Sequence, residues 1–378
     1  MIAAILKETI VGETRVAATP KTILELIDSG LTVYVESGAG NESCFSDQDY
    51  IEAGAQIKED AKSTLNEANL ILKVVPPTLD EIELFPNDTI FISFFQTTNE
   101  TKTVLKLRDK NITSFSMHLI PRTTLAQSMD ALSSQANIAG YKAVLVGASH
   151  LSVYMPLLMT AAGTIAPAKV LIIGAGVAGL QAIATANRLG AQVEAFDVRP
   201  EVKEQVESLG AKFVEVESEN IEGVGEGGYA KETSDDYKKQ QELKIKERAM
   251  KSDLVITTAL IPGKPAPTLI NKDIVENMKM GSVIVDLASE NGGNCELTQK
   301  DEIITHKGVI IDGTSNFPAT MQTHASQLYS KNISSFVKHM LKEGELNLDL
   351  KDEIIAGAMF THKGEITHQA TKELISNT

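Results

Sequence analysis

Residues 169–199 read KVLIIGAGVAGLQAIATANRLGAQVEAFDVR, and the order of signals within them decides the fold. Val170–Ile173 is a short apolar, β-branched run, as expected of a strand buried on both faces. Gly174, Gly176 and Gly179 follow at once in G-x-G-x-x-G spacing. The first glycine permits a tight turn, the second a close approach of backbone to a pyrophosphate, and the third tight packing of helix on strand. The helix opening there directs free N–H groups and the positive end of its dipole at the phosphates. Gly190 ends that helix, Gln192–Phe196 is the next strand, and Asp197 stands at its tip, placed for a carboxylate to accept adenosine ribose hydroxyls. Glycine spacing alone is common; strand, glycines, helix, strand and acid in this order predict a dinucleotide site. The alternative is a parallel βαβ unit that binds nothing, with Asp197 a solvated strand-end acid. A carboxylate at Asp197 repels the extra phosphate of NADP and favours NAD. Arg199 has three readings: it accommodates that phosphate, stacks on adenine, or is a plain surface charge.

At 378 residues the chain is long enough for two domains with sizeable cores. Its formal net charge of −15 argues against nucleic acid and against direct adsorption to anionic lipid. Cys44 and Cys295 lack metal-ligand spacing and read as buried thiols in a reducing compartment. The N-terminus, MIAAILKETIVGETR, lacks the charged start, long apolar stretch and cleavage site of a signal peptide, so a cytoplasmic protein is expected. Leu151–Ala168 carries no charge and is long enough to span a bilayer, but Pro156, Pro167 and several hydroxyl side chains interrupt it. It is read as a buried helix leading into a core strand, with no membrane span.

Strands and helices alternate elsewhere. Ile2–Leu6 reads as a strand, and Thr19-Pro20 as an N-cap followed by proline at the first helical position. That helix runs to about Ser29 with Gly30 at its end, and Leu31–Glu36 is the next strand. Leu70–Val75 and Thr89–Phe95 are further buried strands, while Gly38 and Gly40 lack nucleotide spacing. Pro121–Tyr141 reads as a polar loop entering a helix. Asp253–Ala259, Ser282–Leu287 and Val309–Asp312 read as strands of the nucleotide sheet, and residues 316–344 as one long helix. The predicted fold class is α/β, with two Rossmann-like domains of parallel sheet separated by a cleft and joined by long helices. Residues 1–130 with 320–378 are expected to form the first domain, and 131–319 the dinucleotide-binding domain. Glu215–Lys251 stands apart, rich in Glu and Lys with four glycines. Its composition favours a disordered or solvated excursion. The functional reading is a mobile lid around 220–245 that carries Tyr229 inward.

ETRVAATP (13–20), AQSMDALSSQANIAGY (126–141), GAGVAGLQAIATANRLGA (174–191), DVR (197–199), GGYAKE (227–232), TTALIPGKPAP (257–267) and VDLASENGGN (285–294) carry a wider likeness. Together they resemble the NAD(H)-binding subunit of proton-translocating nicotinamide nucleotide transhydrogenase. The resemblance spans essentially the whole chain and is most specific in AQSMDALSSQ and GGYAKE. It implies hydride transfer between NAD(H) held here and NADP(H) held on a membrane partner subunit, coupled to proton translocation. It also implies a homodimer, peripheral to the inner (cytoplasmic) membrane through its partners. Because the sequence stops at Thr378 without a transmembrane helix, the split form of the enzyme is expected.

The resemblance further implies that Arg122, Gln127, Asp130 and Ser133 contact the nicotinamide and its ribose. Direct hydride transfer needs no general acid or base, so such groups act by positioning in a water-poor site. Gly174, Gly176, Val177, Ala178 and Gly179 match pyrophosphate positions; Asp197 matches the adenosine ribose position, with Val198 and Arg199 beside it. Gly228 and Gln241 match nucleotide contacts in the excursion, and Leu260 one near the adenosine. From composition alone, Asp130 or Ser133 caps a helix and Leu260 is core.

Alanine dehydrogenase shares this architecture and is the rival reading. It reduces the imine of pyruvate with NADH, which calls for a carboxylate anchor and a proton-transfer group. Arg15 and Lys73 match its substrate-binding positions; otherwise they are inherited residues pairing with carboxylates across the crevice. Gln96 stands where that family has its catalytic His, and Glu290 where it has an Asp before Gly-Gly. An amide neither supplies nor accepts a proton near neutral pH, which favours the transhydrogenase reading. The set Arg122, Gln127, Asp130 and Ser133 argues against a third reading, an NAD-binding protein that transfers no hydride.

Overall fold

The computed structural model describes residues 1–216, 235–261, 264–342 and 345–376. The chain divides into two compact units, Met1–Gln135 with Pro318–Thr378, and Ala136–Phe317. Gly228 and Tyr229 lie outside the described residues.

The second unit is built on a seven-stranded sheet in the order Lys212–Phe213, Gln192–Phe196, Lys169–Ile173, Leu254–Thr257, Val283–Asp286, Val309–Asp312 and Ile303–His306. All pairings are parallel except the last, where Ile303–His306 runs against Val309–Asp312. Val170–Ile173 of the third strand in this order is buried on both faces, as its continuous apolar run requires. Val170 and Ile172 pack with Ala182, Ile183 and Ala186 of the helix Val177–Arg188 on one side. Leu171 and Ile173 pack with Ile245, Ala249, Ile274 and Val275 on the other. Each such fully buried Ile or Val contributes about 1.5–3 kcal/mol. Gly190, at φ 85°, terminates the helix in the left-handed region.

The first unit carries an eight-stranded sheet in the order Glu365–Ile366, Met359–His362, Thr113–Ser116, Ile90–Ser93, Leu70–Leu72, Ile2–Ile5, Thr32–Glu36 and Gln56–Lys58. Its strands are parallel from Thr113–Ser116 to Gln56–Lys58, and the two C-terminal strands add an antiparallel edge. The helix Pro20–Asp28 begins at Thr19, whose N–H donates to the Thr22 hydroxyl at 2.9 Å. The long helix at the C-terminal side spans Gln322–Met340. Its Tyr329, Ile333, Phe336, Val337 and Met340 enter the core with Val33, Leu70 and Phe115.

Four expectations need correction. Leu151–Ala168 is not a buried helix: most of it is exposed, although Met155 and Ala168 reach the core. Leu158–Thr160 and Gly163–Ile165 form a separate antiparallel hairpin, and Val153, Tyr154, Leu157, Met159 and Ile165 are exposed. Pro156, which has no N–H to give a helix, instead sits against Gly190, where an added Cβ would lie 2.7 Å from the proline Cβ. Within the 215–251 excursion, Asp235–Ala249 is a helix. Gln241, Ile245 and Ala249 recur every four residues and are buried, a narrow stripe in an otherwise charged sequence. Finally, Cys44 is exposed while Cys295 is buried, and Leu260 is 43% exposed where composition implied core. No helix among the described residues is long and apolar enough to cross a membrane.

Candidate functional site

The glycine turn is held by sterics that leave little choice of residue. Gly174 has φ 100°, the left-handed region that glycine enters without a Cβ penalty. A Cβ on Gly179 would lie 1.8 Å from the Gly174 carbonyl oxygen, so the helix packs directly on the turn. A Cβ on Gly140 would lie 2.0 Å from the Ala178 carbonyl oxygen, which brings the helix Ala131–His150 equally close to the same end. Gly176 differs: nothing lies within 4 Å of its ideal Cβ, so this side of the turn is open. Gly176 is the N-cap of the helix Val177–Arg188 and supplies no side-chain cap. The first-turn amides of Val177, Ala178 and Gly179 have no intrahelical acceptors, and they share the positive dipole end. An open glycine beside uncapped amides fits a pyrophosphate.

Asp197 is buried and saturated. Its Oδ2 accepts the Ala175 N–H at 2.7 Å and Arg199 Nη2 at 2.9 Å; its Oδ1 accepts the Arg199 N–H and Nε, both at 2.9 Å. Hydrogen bonding to Asp197, together with its charge, outweighs burial and raises the Arg199 guanidinium above its ordinary value. Arg199 is thus neither a plain surface charge nor extended away from the turn. A ribose diol donating to Asp197 has to displace part of the Arg199 fork. Val198 is partly buried against the Leu171 side of the core, and Gln241 is buried on its helix.

In the first unit, Thr124–Met129 is a 3₁₀ turn leading into the helix Ala131–His150. Ala126 and Met129 anchor it in the core, and Asn332 Nδ2 donates to the Ser128 carbonyl at 2.9 Å. The spacing turns Arg122 and Gln127 outward, both exposed. Asp130 caps the helix: Oδ1 accepts the Ser133 N–H at 2.8 Å, and Oδ2 the Ser133 hydroxyl at 2.6 Å. The capping role anticipated for this pair is therefore present.

Arg15 and Lys73 pair with carboxylates of their own unit. Glu13 grips Arg15 through both oxygens, at 2.7 and 2.6 Å, and Arg15 Nη1 donates to Gln135 Oε1 at 2.9 Å. Lys73 Nζ lies 2.7 Å from Glu81 and 3.3 Å from Glu8. Gln96 is half-buried just beyond the strand Ile90–Ser93. His118, which does not stand at the dehydrogenase His position, has its ring centroid 5.7 Å from that of Phe94. Burial first, and the charge of Arg122 second, lower its pKa and favour the neutral imidazole. Thr258 and Asn294 lie inside the segments 257–267 and 285–294 that carry the family likeness, but are not singled out there; Thr258 donates to the Gly174 carbonyl at the glycine turn, and Asn294 holds the neighbouring Ala259.

Residues 4–139 match the family model described as alanine dehydrogenase/PNT, N-terminal domain, and residues 143–369 match the corresponding C-terminal domain. The chain belongs to the alanine dehydrogenase/PNT family. The NAD(P) transhydrogenase subunit alpha of Cereibacter sphaeroides is 46% identical to this family member, over 96% of this chain and 70% of the relative. A transhydrogenase structure from Sinorhizobium meliloti superposes with TM-score 0.88 at 42% identity, covering 97% of this chain and all of that one, 100%. An L-alanine dehydrogenase structure superposes almost as well, TM-score 0.85, but at 26% identity, with 100% and 99% of the two chains covered. The α/β architecture is common to both branches of the alanine dehydrogenase/PNT family, so the fold does not choose between them; side chains must.

Proposed function

We propose that this chain is the NAD(H)-holding alpha subunit of a proton-translocating transhydrogenase. Its NADP(H)-binding and proton-conducting partners are membrane subunits, and it lies in the cytoplasm against the inner (cytoplasmic) membrane through them. The observation that carries the reaction type is Gln96, an amide where amino-acid oxidation would need an imidazole to move a proton. When bound, NAD(H) gives or takes a hydride at its nicotinamide ring. Gly176 and the amides of Val177, Ala178 and Gly179 hold the pyrophosphate, Asp197 the adenosine ribose, and Leu260 lines the adenosine. Arg122, Gln127, Asp130 and Ser133 orient the nicotinamide and its ribose. Their work is geometric, and Asp130 and Ser133 suit it because their mutual hydrogen bonds fix both rotamers.

The test mixes the chain with the NADP(H)-binding partner and follows reduction of a NAD analogue by NADPH. Transfer is expected; no transfer with both proteins folded and nucleotide-loaded would sink the proposal. Substantial NADH oxidation with pyruvate and ammonium would move the chain to the alanine dehydrogenase branch. Gln127→Asn is expected to slow transfer more than tenfold while the NADH dissociation constant changes less than twofold, because it alters placement more than binding. A large rise in that constant with normal transfer would refute the assignment.

The uncharged hairpin supports a homodimer. Two copies of net charge −15 repel, and an arm without charge lets them meet without juxtaposing carboxylates. An isolated two-stranded hairpin is marginal in water unless something covers it. Met159→Lys combined with Ile165→Lys is expected to shift the sedimentation of the chain from dimer to monomer without lowering its helical content. A doubly substituted chain that still sediments as a dimer would place the interface elsewhere.

A further inference from the structure

One peptide plane, Gly174–Ala175, orients the whole glycine turn, and it is pinned at both ends. Its N–H donates to Asp197 Oδ2 at 2.7 Å. Its carbonyl accepts the Thr258 hydroxyl at 3.0 Å. The Thr258 backbone is fixed in turn, its N–H donating to the Ile173 carbonyl at 2.8 Å. The next residue is held by a side chain that satisfies both of its backbone groups. Asn294 Oδ1 accepts the Ala259 N–H at 3.0 Å and Asn294 Nδ2 donates to the Ala259 carbonyl at 2.9 Å, with a second bond to the Pro267 carbonyl at 2.8 Å. On the preceding residue, the Thr257 hydroxyl donates to Asp286 Oδ1 at 2.9 Å. Asp286 is fully buried and also accepts the Ala288 and Cys295 N–H groups and the Thr298 hydroxyl, at 3.0, 3.0 and 2.7 Å.

We propose that Thr258, held in place by Asn294, is a positioning residue for the pyrophosphate cradle. Rotating the Gly174–Ala175 plane would turn the amides that follow it away from the open side at Gly176. Thr258 resists that rotation from the carbonyl side as Asp197 does from the amide side. The inference rests on the reading that this turn holds NAD(H).

The test compares Thr258→Val, Thr258→Ser and the unaltered chain for binding of NADH, ADP and adenosine by titration calorimetry. Thr258→Val keeps the shape and removes the donor, leaving the Gly174 carbonyl short of a partner. It is expected to weaken NADH and ADP about tenfold and adenosine less than twofold, because only the first two engage the cradle. Thr258→Ser restores both affinities, and Asn294→Ala repeats the Thr258→Val pattern. Unchanged NADH affinity in Thr258→Val overturns the proposal, as does an equal loss for adenosine, which would mean general loosening. Failure of the unaltered chain to bind NADH would instead sink the nucleotide reading itself.

Discussion

Gly179→Ala is expected to raise the NADH dissociation constant at least a hundredfold. Its Cβ would sit 1.8 Å from the Gly174 carbonyl oxygen, a backbone atom that no rotamer change can move aside. Either the helix Val177–Arg188 shifts outward or the turn opens, and each displaces the uncapped amides from their common focus. Overpacking of this kind also costs about 1–3 kcal/mol in stability, so melting should fall by several degrees. Gly176→Ala separates the two effects. Its backbone, at φ −76° and ψ −166°, is open to any L-residue, and no atom lies within 4 Å of the new methyl. That variant is expected to melt like the unaltered chain yet bind NADH more weakly, because the methyl fills the approach to the amides. Normal binding by Gly179→Ala, measured by NADH fluorescence, would mean that the nucleotide lies elsewhere.

How much of this was legible depended on where each residue finds its partners. Val170–Ile173, the three glycines and Asp197 declare themselves because strand, turn, helix and acid lie within one short local unit. The cap at Thr19 and the Asp130–Ser133 pair are legible for the same reason, each closing within three residues. Leu151–Ala168 misleads because an uncharged sequence states that something covers it without stating what. Asp235–Ala249 misleads in the opposite sense: Ile245 and Ala249 are enough to seat a helix on a sheet, but too few to outweigh its charges in composition. Thr258 and Asn294 fall within motifs that carry the family likeness, but their roles are not legible there since they act on backbone atoms 84 and 35 residues away. The fold is thus written mainly in local patterning. The fine geometry of the site is set by hydrogen bonds across the sheet.

Lys73→Met should be the most destabilising single change in the first unit, and its cost should depend on pH. Lys73 is fully buried, and its ammonium sits between Glu81 and Glu8. Burial pulls its pKa down, but the charges of Glu8 and Glu81 and their hydrogen bonds more than offset this, leaving the group firmly cationic. Removing it strands buried carboxylate charge, which costs about 3–5 kcal/mol, or roughly 10 °C in melting temperature. Glu8 sets the pH dependence. Burial outweighs Lys73 and the Val74 N–H and pushes its carboxyl up to about 7 from an ordinary 4.5. The folded state therefore binds this proton more tightly than the unfolded chain does. The Glu8 contribution is fully favourable below about pH 4.5 and is lost as pH rises to about 7, up to roughly 3 kcal/mol. Glu8→Gln stays neutral throughout and lacks this slope. Relative to the unaltered chain, its melting temperature should therefore rise between pH 5 and pH 8, most steeply below pH 7. Lys73→Met should lose more stability at pH 8 than at pH 5.5, because protonation of Glu8 relieves part of the stranded charge. A gap between Glu8→Gln and the unaltered chain that is constant across that range would show that Glu8 does not titrate there. A Lys73→Met chain melting within 2 °C of the original would show that the lysine is not the counter-charge on which both carboxylates depend.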